Sequence, residues 1–195
     1  MLSTLHGAQG FIGMKRGQAV PPVDWWLASG TIALGNVKQY VENLTVRTVK
    51  NWSGGIGTTW TISFRTNLVT LPSVWSYAFD CYAYNTRVII TYTSTNGFNN
   101  KSYYYNIGLF IPGDHTYMLV SNGSTNTMQA YRDAVAISGP KNASYTHIER
   151  TSAWGGLYDR DTGAWPVPIK AGHIANIQLN ETQRGALHAS MMALT

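Results

Sequence analysis

The run TTWTISFRTNL, residues 58–68, constrains the fold more than any other stretch. Trp60, Ile62 and Phe64 alternate with Thr61, Ser63 and Arg65. A period of two places the first set on one face of an extended strand and the second set on the other. A helix would scatter both sets around its circumference. The pattern therefore demands a sheet with an apolar inner face.

The same reading extends along the chain. In SVWSYAFDCYAYN, residues 73–85, Trp75, Tyr77, Phe79 and Cys81 fall in phase. TRVIITYTST is β-branched and fits a buried strand, and KSYYYNIGLFI is another strand, stopped by Pro112-Gly113. Within it, Tyr104 points away from its two neighbours, so at least one tyrosine of the three is expected to be exposed. HTYMLVS and TMQAYRDAVAIS flank a turn in which Asn122-Gly123 can supply positive φ; Asn96-Gly97 is a second turn signal. ETQRGALHASMMAL reads as a helix capped by Asn180, with Leu187, Met191 and Leu194 at helical spacing and Gly185 weakening it. Nine or ten strands without βαβ units predict an all-β sandwich or jelly roll, each sheet with one buried face, closed by a short C-terminal helix.

Composition narrows the function. Only 12% of the 195 residues are charged, about half the usual share, and Asn, Ser, Thr and Gly supply most of the polarity. That profile suits an extracellular or virion-type β-protein. The net charge of +5 comes from scattered Lys and Arg with no basic run, which argues against nucleic-acid binding. Cys81 is the single cysteine, so an intramolecular disulfide is excluded; its alternating context makes it a small core residue. The N-terminus has neither the charge order nor the apolar length of a signal peptide or membrane span, so no membrane insertion is expected. The six Asn-x-Ser/Thr sequons, without such a signal, are read as unglycosylated.

Two units follow. Residues 1–23 form a glycine-punctuated arm ending at Pro21-Pro22, with isolated apolar anchors Leu2, Leu5, Phe11, Ile12 and Met14. It cannot make its own core and gains order only by packing against its own domain or a neighbour. Trp25 and Trp26 follow it as further anchors, or are buried against their own sheet. Residues 24–195 form the sandwich.

Three stretches carry a family resemblance. TWTISFRTN, GDHTYMLVSNGSTNTMQAYRDAVAI and AGHIANIQLNETQRGAL follow one another as in the concanavalin A-like jelly rolls of the laminin-G type, which the chain resembles over its last two-thirds. Ala134 stands where that family usually has glycine, and Thr116 where a second His or Trp is common. The short glycine-rich arm ahead of such a sandwich resembles small structural proteins of tailed bacteriophages. Together the two resemblances imply a non-enzymatic virion protein, a capsid decoration or tail-associated protein assembled in the host cytoplasm. It would dock through its arm on other virion proteins or on copies of itself, with its sandwich facing outward, in reach of host glycans. The alternative is a lectin-like module or host-receptor adhesin, and the third reading is a glycosidase.

Glycosidases of the resembled fold set their acids on one strand as Glu-x-Asp-x-x-Glu; none of the nine acids here forms that pattern. Asp159 and Asp161, in YDRDTGAW, resemble the start of a calcium loop, but no acid follows in residues 164–170, and a polar turn is the expected structure. The five histidines show no zinc spacing, no triad or phosphate loop can be proposed, and no cofactor is expected. Trp154, Tyr158 and Trp165, with Asp159 and Asp161, are the candidate glycan-binding residues. Their rings either stack on a sugar's apolar face or pin a long loop to the sandwich.

Overall fold

The computed structural model describes residues 32, 36–51, 56–83, 86–92, 96–100, 103–142, 151–157, 159 and 162–194. The arm, residues 1–23, with Trp25 and Trp26, lies outside them, as do Tyr158 and Asp161.

Among the described residues, thirteen strands form two antiparallel sheets. The first runs in the order β1 (Val37–Leu44), β13 (Ile169–Ala175), β3 (Trp60–Leu68), β8 (Gly113–Asn122), β9 (Thr127–Arg132), β10 (Val135–Ala136), with β11 (Lys141–Asn142) also on β9. The second runs β2 (Thr48–Asn51), β12 (Thr151–Trp154), β4 (Ser76–Ala83), β5 (Thr86–Tyr92), β6 (Gly97–Asn100), β7 (Tyr103–Asn106). One helix, α1 (Glu181–Met192), follows β13. The concanavalin A-like sandwich with a C-terminal helix is therefore the fold.

Between the sheets the alternation works as read. Trp60, Ile62 and Phe64 meet Phe79, Cys81, Val88, Ile90, Tyr117, Leu119 and Trp154 in one core. Aromatic rings fill its centre, with Phe79 and Trp154 edge to face at 4.8 Å. Cys81 is buried in it, its thiol directed at the Thr151 carbonyl at 3.2 Å.

The first sheet departs from a single buried face. Thr61, Ser63 and Arg65 are as buried as their apolar neighbours, because α1 packs on the outer side of this sheet. Leu187 and Met191 of α1 join Met118, Val120, Tyr131, Ala171 and Ala175 in a second cluster. The helix is set by a capping box: the Gln183 amide donates to Asn180 Oδ1, and the Asn180 amide to Gln183 Oε1, both at 2.9 Å. Its far end is held by Arg65, whose Nη1 donates to the carbonyls of Met191 at 2.8 Å and Leu194 at 2.6 Å. The same guanidinium grips Asp114 at 3.0 and 2.8 Å, and Lys170 reaches that carboxylate at 2.9 Å. These cations, Arg65 foremost, hold the Asp114 pKa down at about 2.

Two turn expectations are corrected. The β8–β9 connection is a four-residue loop, with Asn122 paired to Thr127. The left-handed residue is Asn126, at φ 51°; Asn122 Oδ1 instead accepts from the Ser124 amide at 3.0 Å. Gly97 opens β6 instead of turning a hairpin. Asn96 acts there as a side-chain peptide, donating to the Phe110 carbonyl at 2.9 Å and accepting from the Phe110 amide at 2.7 Å.

Candidate functional site on the second sheet

The outer face of the second sheet is built by a bulge. Tyr77 pairs with Thr91, the register then shifts, and Phe79 pairs with Ile90 and Asp80 with Ile89. The extra residue is Ala78, which lies in the core. On β5, Val88 and Ile90 point into that core, so Arg87, Ile89 and Thr91 point outward. Tyr77 and Asp80 are three residues apart, yet the bulge brings both onto this outward face. The sequence pattern had Trp75 and Tyr77 in phase with Phe79 and Cys81. Structurally the bulge breaks that phase, and Trp75 stands 58% exposed with its ring 6.5 Å from that of Tyr77.

The segment after β12 is fastened beside this pair. The Gly155 amide donates to the Ala78 carbonyl at 2.9 Å, the Trp165 amide to Gly155 at 3.0 Å, and the Tyr77 amide to Gly163 at 2.9 Å. Gly163, at φ 71°, sits so close that a Cβ would fall 2.3 Å from the Tyr77 ring. Arg47 supports the segment from the other side: Nε donates to the Leu157 carbonyl at 2.6 Å and the side chain lies along Gly156.

The charged part of the face is a trio. Arg87 makes a two-pronged bond to Asp80, 2.9 and 2.7 Å, and reaches Asp159 at 3.2 Å. Asp80 is fully buried, and burial of a carboxylate is tolerable only with such a partner. The bond to Asp80 is the main cause that raises the Arg87 pKa above its ordinary value. Next to Trp75, a groove of about 420 Å³ runs between residues 69–74 and 164–167, lined by Val69, Leu71, Pro72, Val74, Pro166 and Val167. Val69 and Val74 are exposed.

The sequence-based glycan residues divide on this frame. Trp154 and Trp165 are corrected as stacking platforms, because both are buried. Trp154 packs in the core and its Nε1 donates to Gln39 Oε1. Trp165 packs on Phe110 at 4.6 Å and its Nε1 donates to Thr66 at 3.2 Å. They pin the segment between them, which was the other reading of these rings. Asp159 lies on the outer face and binds Arg87. Tyr158 and Asp161 fall outside the described residues, and with Asp161 the second acid of the calcium-like pair. No group of three or more metal-ligating side chains occurs among the described residues. Sequence reasoning missed Trp75, Tyr77, Asp80 and Arg87 as one site. The signal was there in the two aromatics at i and i+2, but the bulge that turns them outward was not.

Chemically, this face offers an exposed indole, a neighbouring phenol, and the Asp80 and Asp159 carboxylates held on the Arg87 guanidinium. The π faces suit apolar C–H surfaces.

No protein-family model and no curated protein matches the sequence. Solved structures do match in fold. Trypanosoma rangeli sialidase in complex with sialic acid aligns with 84% of this chain and 34% of its own, at TM-score 0.58 and 12% identity. The receptor-binding domain of botulinum neurotoxin C/D mosaic serotype aligns with 83% and 48%, at TM-score 0.57 and 8% identity. A sialidase of Streptococcus pneumoniae aligns with 77% and 28%, at TM-score 0.55 and 11% identity. The chain thus spans less than half of each of these proteins. At such identities the likeness is one of fold, a two-sheet β-sandwich. Among the described residues no helix is long and apolar enough to cross a membrane.

Proposed function

We propose that this protein is a non-enzymatic glycan-binding β-sandwich and that it binds through the outer face of its second sheet. The observation that carries the reading is Trp75, an exposed indole next to Tyr77, immediately before β4. An exposed tryptophan close to a groove of mixed apolar and hydroxyl-bearing lining, Thr70, Ser73 and Ser76 among its residues, is a recognition feature, since a large ring left in water otherwise gains nothing. Placing it at the mouth of a strand, braced by the Gly163 contact, limits the ordering cost of binding. The fold shared with the sialidases and the toxin domain is consistent with a sugar-binding sandwich. Binding rather than cleavage is favoured because Asp80 and Asp159 both engage one guanidinium, whereas glycoside cleavage needs one carboxyl as a proton donor.

The test is a glycan-array screen followed by titration of the hits, with Trp75→Ala as the control. The variant should keep the far-UV spectrum and melting temperature of the parent and lose at least tenfold in affinity. An array without a single hit, or a Trp75→Ala protein that binds as the parent does, overturns the reading.

A docking role for residues 1–23 on a virion is a second proposal, favoured by the apolar anchors Leu2, Leu5, Phe11, Ile12 and Met14 spaced along a glycine-punctuated segment. Deleting residues 1–23 separates the two. Particle binding is lost if the arm docks, and sugar binding is unchanged if the sandwich acts alone.

A further inference from the structure

We propose a second saccharide site on the first sheet, in a groove of about 350 Å³ between the β8–β9 pair and the residues that lead into α1. It goes beyond the reading above and does not depend on it. Strand register builds the floor. Leu119, Met128 and Ala130 point into the core between the sheets, so Val120, Asn122, Thr127, Gln129 and Tyr131 point to the outer side. There Asn122 lies opposite Thr127, and Val120 opposite Gln129. Val120 and Tyr131 are only 4% and 7% exposed, whereas Thr125, Pro140 and Gln178 on the rim are exposed. A buried floor inside an exposed rim is a concave surface, and its volume falls in the range of small-ligand pockets, about 300–1,000 Å³.

The polar groups of this groove are oriented before any ligand arrives. Gln129 Oε1 accepts from the Tyr131 hydroxyl and its Nε2 donates to the Ser138 carbonyl, both at 2.9 Å. Arg184 lies over the Tyr131 ring at 4.1 Å. Asn122 Oδ1 accepts from the Ser124 amide at 3.0 Å and its hydroxyl at 2.7 Å, and the Thr125 and Thr127 hydroxyls meet at 2.7 Å. Gln178 stands between two residues pinned to the sheet: the Thr61 hydroxyl donates to the Ile177 carbonyl at 2.7 Å and accepts from the Leu179 amide at 3.3 Å. Such fixing on strands lowers the ordering cost of binding. The bonds to Gln129 use one lone pair and one N–H of a carboxamide that has two of each. Carboxamides and hydroxyls both donate and accept, as does every hydroxyl of a sugar, and Val120 and Pro140 offer apolar contact to ring C–H groups. That pairing of chemistries assigns the groove to a saccharide.

The test uses the full chain carrying Trp75→Ala, which removes the indole of the other face. Lactose, maltotriose, cellotriose and mannotriose are titrated by calorimetry, together with any hit from a glycan array, and the bound region is read from backbone amide NMR shifts. The expected result is a saccharide that this protein still binds, with shifts at residues 120–131 and 177–179. Adding Gln129→Leu, which keeps the side chain's size and removes its amide, should weaken that binding at least tenfold. Gln178→Ala, at an exposed position, should weaken it severalfold and serves where Gln129→Leu fails to fold. A Trp75→Ala protein that binds no saccharide overturns the inference, as do shifts confined to other residues or glutamine variants that bind undiminished. Saccharides lost with Trp75→Ala and none retained uphold the second-sheet reading and sink this one. A saccharide retained with none lost does the reverse.

Discussion

The two sheets carry similar polar residues on their outward faces and use them in opposite ways. On the first, Thr61, Ser63, Arg65 and His173 lie beneath α1, all at or below 7% exposure. Two of them fasten the segment above: Thr61 donates to the Ile177 carbonyl, ahead of α1, at 2.7 Å, and Arg65 closes the helix end. On the second, Asp80 and Arg87 serve each other, and the aromatic pair Trp75–Tyr77 beside them meets solvent. One outer face is sealed and holds the fold together; the other is braced from the side and left open. A strand with alternating polarity announces a face and says nothing about what lies on it.

Removing the seal should have the largest effect. Arg65→Ala leaves two helix-end carbonyls and the Asp114 carboxylate without their shared donor. Breaking one partner of a buried pair costs about 3–5 kcal/mol, and the partial exposure of Asp114 puts the expected loss near the lower end. Denaturant titration should show that loss, and hydrogen exchange should show α1 opening ahead of the sheets. A loss below about 1 kcal/mol would mean that apolar packing of Leu187 and Met191 holds the helix alone. The equivalent change on the open sheet, Trp75→Ala, should leave stability within about 0.5 kcal/mol of the parent.

The second way to probe the sealed face is acid. Burial lowers the His173 pKa from 6.5 to about 3, so the ring is neutral in the native protein. The unfolded chain takes up a proton below pH 6.5 and the folded one does not. Stability from this group is therefore complete above pH 6.5 and is lost as pH falls towards 3. The slope is about 1.4 kcal/mol per pH unit for one proton. Asp114, with its pKa held at about 2, adds its own loss only below its ordinary value of 3.8. Across pH 6 to 4 Asp114 contributes little, while Glu42, whose pKa burial raises above 4.5, takes up its proton earlier in the folded state and opposes the histidine. His173→Gln should flatten the stability curve there by about one proton's worth, whatever its effect on absolute stability. An unaltered slope would place the proton uptake on other groups.

How much of this was legible in the sequence follows from which interactions are local. Trp60, Ile62 and Phe64, the buried Cys81, and α1 with its Asn180 cap were readable, because period and capping chemistry depend on neighbours in the chain. Tyr104, exposed at 69%, was readable for the same reason. The bulge at Ala78 was not, since it exists only against the register of β5. The landing place of α1 was not either: helical period identifies its apolar stripe, and only the sheet decides which surface that stripe meets. Trp154 and Trp165 sit in a glycine- and turn-rich stretch, which points to the surface; the hydrogen bonds to Gln39 and Thr66 that bury them come from strands about a hundred residues away.

The open face should respond to Trp75→Ala with at least a tenfold loss of glycan affinity, about 1.4 kcal/mol, and to Arg65→Ala with none in the fraction that stays folded. If the Arg65 variant, folded, also lost binding, the two faces would be coupled through the sandwich and the contrast between them would fail.

The smallest effect is also the most local. Arg132 pairs with Val135, leaving the two-residue loop Asp133–Ala134, with both residues left-handed at φ 51° and 65°. That is the geometry of a type I′ turn, which requires positive φ at both positions. Asp133 is compensated: its carboxylate accepts from the Thr116 amide at 3.0 Å and pairs with His115 Nδ1 at 2.6 Å. Ala134 has a Cβ that pushes against the following carbonyl and no polar group to offset it, at a cost of about 1–2 kcal/mol. Glycine removes that strain but brings about 0.4–1 kcal/mol of extra unfolded-state entropy. Ala134→Gly should therefore stabilise by roughly 0.5 kcal/mol, raising the melting temperature by about 1–2 °C. Ala134→Val, β-branched at the same φ, should lower it by more. The resembled family's glycine at this position then has a physical reason, and the sealed sheet becomes tighter with no change at the open one. A melting temperature that falls on going to glycine would show that the left-handed alanine costs less than the freedom glycine restores to the unfolded chain.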